Sequence, residues 1–172
     1  HADDGATNIQ ETIDLDEAVK VAYAFYKQHP SETLIVVTAD HETGGMGLGT
    51  GAYSQNLKAF QHQTVSVSAC SRKLGALRRP DHVVTWDEAK QVLDDCYGLF
   101  SKLNINERDA AYLQRVFDEK FKKEEKQTSM YQSDDALASE ARIIMQRIAQ
   151  MAWSSYSHSN GYVPVFAIGA GA

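Results

Sequence analysis

A chain of 172 residues buries one sizeable core and is too short for two comfortable domains. Its 43% hydrophobic and 23% charged residues with a net charge of -6 are ordinary for a globular protein and argue against a broad polyanion-binding surface, so nucleic acid is not an expected partner. No apolar run approaches the roughly 20 residues that span a bilayer, and the first residues have neither the basic nor the apolar region of a signal peptide.

In chain order, Asp14 with Glu17 forms an acidic capping box, and Leu15, Ala18, Val19, Ala22 and Tyr26 recur at helical spacing as far as His29-Pro30. A turn at Pro30-Ser31 leads into a strand over Thr33 to Thr38, a helix-to-strand order typical of α/β architecture, and the greasy run predicts a central, parallel strand. Glycines 44, 45, 47, 49 and 51 fit no phosphate-binding fingerprint and read instead as close backbone approach. Leu57 to His62 reads as a short strand, and Val67, Cys70, Leu74 and Leu77 as a helix face ending near Arg78-Arg79-Pro80. Thr85 with Glu88 caps a further helix burying Ala89, Val92, Leu93, Cys96, Phe100 and Leu103. Asn106 caps the next, with Ala110, Leu113, Phe117 and Phe121 inward and the charge run from Lys120 to Lys126 as its solvated end. A last long helix starts near Ser133 and buries Leu137, Ala141, Ile144, Ile148 and Met151, before a polar loop and a strand over Tyr162 to Ile168. Cys70 and Cys96 lie on apolar helix faces and read as buried thiols rather than a disulfide or a metal pair.

The organisation is therefore a sheet element in residues 1–52 and 152–172, with a mostly helical insertion, 53–151, between two strands of one sheet. The chemistry gathers at the sheet. Asp40 and His41 fall just past the carboxyl end of a strand, where open α/β sheets bind ligands. A carboxylate and an imidazole suit zinc, whose catalytic sites use about three such ligands, although the same pair can simply cap a turn. Glu42 is either a partner orienting an imidazole or a solvated acid. His158 sits in the polar loop before the last strand, which can return it beside Asp40 and His41 or leave it exposed. His29, His62 and His82 have no such setting.

"VTADHETGG", from Val37 to Gly45, resembles the metal-binding signature of the alkaline phosphatases, specifically their bacterial branch. "HADDGATNIQETIDLDEAVKVAYAF" resembles the family segment that starts at a zinc-ligand His, and "WSSYSHSNGYVPVFAIGAGA" resembles the family's ligand-bearing loop and final strand. The three matches occur in family order. The resemblance implies a three-layer α/β sandwich with a mostly parallel sheet. It implies that Asp40 and His41 ligate the zinc that holds a nucleophilic serine, and that His1 and His158 ligate a second zinc. Phosphomonoesters would then be hydrolysed to phosphate through a phosphoserine intermediate. Tyr156 and Ser159-Asn160 depart from the family pattern in the last loop.

The same resemblance places the serine, the magnesium ligands and a phosphate-clamping arginine N-terminal to His1, which makes the chain an expected C-terminal fragment, inactive alone and partnered by the N-terminal part of the same protein. A periplasmic or secreted location and a homodimer of the full-length protein are further family expectations. The alternatives are a non-catalytic binding or structural domain with relic ligands, and a phosphodiesterase or sulfatase of the same superfamily.

Overall fold

The computed structural model describes residues 1–51, 53–122 and 134–172. Helix α1, Gly5–Gln28, starts ten residues earlier than the Asp14 capping box predicts, because Asp4 is its N-cap and accepts a hydrogen bond from the Thr7 amide. Asp14 and Glu17 lie inside the helix, where Asp16 and Glu17 both pair with Lys20 on the surface. Acids three and four residues from a lysine serve a helix interior as well as its start.

Strand β1, Leu34–Val37, runs antiparallel to the last strand, with Leu34 opposite Gly169 and Val37 opposite Phe166. The predicted parallel neighbour is not what β1 meets here: among the described residues every strand pair is antiparallel. Two further short strands follow, β2, Glu42–Thr43, and β3, Met46–Leu48. Leu57–His62 forms a 3-10 helix rather than the expected strand, with Ala59 and Phe60 buried. Its apolar residues are adjacent, so one tight turn buries both.

Four helices then build the core: α2, Val67–Gly75; α3, Trp86–Tyr97; α4, Glu107–Val116; and α5, Ala136–Ile148. The Thr85–Glu88 capping box is formed in full, and Gly98 closes α3 in the left-handed region at φ 63°. Asn106 caps α4, which continues as a π turn over Phe117–Phe121 and keeps both phenyl rings buried. Asp135 caps α5 by accepting from the Leu137 amide, so the helix starts after Ser133, itself outside the described residues, as is most of the Lys120–Lys126 charge run. Leu74, Leu93, Tyr97, Leu99, Leu113, Phe117, Leu137 and Met145 are fully buried, and so are Cys70 and Cys96. Met151 is buried too, but as the first residue of β4, Met151–Trp153, which pairs with β3. Strands β5, His158–Ser159, and β6, Phe166–Gly169, end the fold.

The sheet elements are packed differently from the helices. Val21, Phe25, Val36 and Phe166 are exposed by 73%, 57%, 51% and 63%. Helix α1 offers apolar residues on more than the single face read from its sequence, the pattern of a helix that is covered on several sides. No helix among the described residues is long and apolar enough to cross a membrane.

Candidate metal centre

The antiparallel β1–β6 pair decides where the histidines go. It sets the carboxyl end of β1 beside the amino end of β6, so the loop that leaves β1 and the loop that enters β6 emerge at one edge. Those loops pair again as β2 with β5, Glu42 opposite Ser159 and Thr43 opposite His158. His41 and His158 therefore meet, their rings stacked with centroids 3.6 Å apart.

His1 arrives from a third segment held by the helical body. Asp4 accepts from Gln63 Nε2 at 2.8 Å and from the Val67 amide at 2.8 Å, tying the start of α1 to the start of α2. Gln146, buried on α5, accepts from the Gly5 amide at 2.9 Å and from Trp153 Nε1 at 2.7 Å, so one carboxamide fixes both the His1 segment and β4. His1 Nε2 then lies 2.8 Å from His158 Nε2. One ring nitrogen from each of His1, His41 and His158 falls within 4.8 Å of the other two.

This donor set fits a metal. His41 Nδ1 contacts the Glu42 carbonyl at 3.0 Å and the Thr43 hydroxyl at 3.1 Å, an arrangement that holds the ring proton on Nδ1 and presents Nε2 as a lone pair. Two nitrogens bound to one zinc at about 2.1 Å stand at most about 4.2 Å apart, a condition His1 and His158 already meet. Asp40 lies at the rim, its side chain 89% exposed and its Oδ2 3.5 Å from His41 Nε2. Its other oxygen accepts from the His41 amide at 3.1 Å, the turn-capping role the sequence left open. His29, His62 and His82 are not in the cluster.

Glu42 works by two routes. Its backbone carbonyl orients His41, while its carboxylate accepts from the Gly45 amide at 2.7 Å and from the Ser159 hydroxyl, joining the loops that carry His41 and His158. Gly44 permits the crossing: at φ 76°, a Cβ there would overlap the Asp3 carboxylate and the Trp153 ring. Asp3 is 5% exposed beneath it, and burial pushes its carboxyl above the ordinary range against the pull of Arg142. Gln146 and Ser159 carry no local sequence signal, since their partners are set by tertiary register, and the same holds for the Asp4 contacts with Gln63 and Val67. A pocket of about 430 Å³ opens beside His1, lined also by Asp4, Asn8, Glu11, Thr43 and Trp153.

The family model for alkaline phosphatase matches residues 1–172. The repressible alkaline phosphatase of Saccharomyces cerevisiae is 26% identical over 175 residues, which cover 97% of this chain and 28% of that protein. The crystal structure of the cold-active alkaline phosphatase from the psychrophile Shewanella sp. superposes with a TM-score of 0.67 at 23% identity, over 96% of this chain and 35% of that one. The chain thus has an alkaline phosphatase's α/β fold and spans about a third or less of these relatives' length.

Proposed function

The chain belongs to the alkaline phosphatase family, and from that premise we propose that it is the C-terminal part of a zinc-dependent phosphomonoesterase. The observation that carries the proposal is the convergence of His1, His41 and His158 from three separate segments onto one sheet edge. In this reading Asp40 and His41 hold one zinc, and His1 and His158 hold the other. A zinc pair supplies Lewis acidity to the attacking and leaving oxygens of an in-line phosphoryl displacement.

This chain's own residues bind and orient. The Glu42 carbonyl keeps the His41 proton on Nδ1, and the Glu42 carboxylate with Ser159 holds the two loops at a fixed separation. The nucleophilic serine that forms the phosphoserine, the magnesium ligands and the phosphate-clamping arginine belong to sequence N-terminal to His1. That same sequence covers the apolar surfaces of α1, β1 and β6 and completes the three-layer sandwich and its parallel sheet, with residues 53–151 as a helical insertion. A periplasmic or secreted location and a homodimer go with this reading.

Phosphate release from an aryl phosphate tests it. The 172-residue chain supplied with zinc and magnesium should give no turnover, because positioning of the nucleophile accounts for roughly 7–11 kcal/mol of such a barrier. A chain lengthened at its N-terminus should turn over and should lose activity on His41→Ala or His158→Ala. Turnover of a phosphodiester or sulfate ester in preference to the monoester would move the assignment within the superfamily. Silence of the lengthened chain toward all three would favour a non-catalytic domain. Chelator-sensitive phosphate release by the 172 residues alone would contradict the reading.

A further inference from the structure

One polar side chain buried in the helical body makes its hydrogen bonds outside it. Gln146 is 3% exposed in α5, whose other buried residues are apolar apart from Arg142, and an apolar residue would fill the same space with no polar group to satisfy. Its carboxamide oxygen accepts from the Gly5 amide at 2.9 Å and from Trp153 Nε1 at 2.7 Å. Both partners only donate, so the oxygen rather than the amide nitrogen must face them. Gly5 opens α1 four residues after His1 and has no room for a side chain: a Cβ there would overlap Met151 Sδ and stand 3.1 Å from Gln146 Oε1. Between His1 and Gly5, Asp3 stands in the left-handed region at φ 50°, a conformation that a non-glycine residue keeps only where its surroundings fix it. Trp153 belongs to β4, and its ring is what a Cβ at Gly44 would meet, in the turn that follows His41. The His41–His158 pair, by contrast, is set by the β2–β5 pairing and the Glu42 carboxylate, neither of which involves residues 53–151.

We propose, resting on the reading of His1 as a zinc ligand, that Gln146 is a positioning residue that sets His1 against the His41–His158 pair, and that this is what the helical insertion does for the metal centre. His1 lies outside every helix and strand, so its place depends on where the start of α1 is tied. Asp4 is anchored to Gln63 and Val67. Gln146 acts one residue further on, and because it shares a single acceptor atom between Gly5 and Trp153, it fixes the His1 segment relative to the strand that backs the His41 loop. The His1 ring therefore stands with its centroid 4.9 Å from that of His158 and the two Nε2 atoms 2.8 Å apart before a metal binds. A ligand already in place spares zinc the cost of ordering it, which raises affinity.

NMR of the 172-residue chain tests this, first without metal and at a pH alkaline enough to keep imidazoles neutral. Ring protons of His1 and His158, and of His41 and His158, should show mutual nuclear Overhauser effects in the original chain. In Gln146→Met, of similar size but without the acceptor, and in Gln146→Asn, whose oxygen falls short by one methylene, the His1–His158 effect should be lost while the His41–His158 effect remains. Gln146→Glu keeps the acceptor, with the Arg142 charge one turn away on α5, and should restore it. A residue that only filled the core would lower the melting temperature of the first two variants and leave His1 in place. Zinc supplies a second readout: the concentration that half-shifts the His1 ring should rise about 10- to 100-fold in the Met and Asn variants and return toward the original in the Glu variant. Persistence of the His1–His158 effect in both loss variants, its absence from the original chain, loss of the His41–His158 effect together with it in the Asn variant, or a Glu variant as impaired as the Met variant would overturn the proposal. A His1–His158 effect that follows the variants as expected in a chain that binds no zinc would leave the positioning role intact and contradict the zinc reading instead.

Discussion

The His41 ring is oriented by a carbonyl and a hydroxyl on its own chain, Glu42 O and Thr43 Oγ1, and the loop that carries it is fastened by the Glu42 carboxylate. Removing that carboxylate in Glu42→Ala should weaken zinc binding about 10- to 100-fold, the range for partners that orient ligands. Competition with a chelator measures it, and Ser159→Ala should reproduce part of the loss because it cuts the same clasp. Gly44→Ala should be worse than either at the level of folding, since both its φ of 76° and its contact with Trp153 forbid a side chain. A reduced melting temperature for Gly44→Ala reads this out. His1, Asp40, His41 and His158 were legible as candidates because motif order pointed to them. The Glu42–Ser159 pair was not, because it joins residues 117 apart through a β2–β5 register that no local pattern encodes.

Helix ends with a complete local signature were legible, and those with an ambiguous one were not. The Thr85–Glu88 box formed as read, whereas Asp14–Glu17 shares its spacing with an ordinary helix interior. Thr85→Ala should cost about 1 kcal/mol of stability, measured by urea unfolding. Glu88 adds a pH dependence. The Thr85 amide and hydroxyl hold its carboxyl below the ordinary value of 4.5, so its contribution is present above that value and is lost as the pH falls through the lower, folded one. Glu88→Gln should therefore lower stability at neutral pH and flatten the fall in acid. The pairing of β1 was illegible for a different reason: a greasy strand announces burial, and only the distant partner β6 decides direction.

Across the whole molecule, stability and chemistry are divided between unequal parts. The helical body has a closed core, and Leu137→Ala should cost about 2–5 kcal/mol there, seen in thermal or urea unfolding. The β1–β6 pair is only two strands, and its Leu34, Val36 and Phe166 are exposed, so it has little of the burial that gives a small sheet independent stability. Amide hydrogen exchange at Leu34–Val37 should accordingly be fast in this chain and slow once the N-terminal sequence covers it. His41 and His158 sit on this less protected part, so bound zinc and covering sequence should reinforce one another. The central claim, that His1 and His158 hold one zinc while Asp40 and His41 hold another, is tested most directly by titrating the 172-residue chain with zinc while following histidine ring signals by NMR. The account predicts saturable binding that shifts the rings of His1, His41 and His158 and leaves those of His29, His62 and His82 in place. Absence of saturable binding, or shifts confined to the latter three, would contradict it.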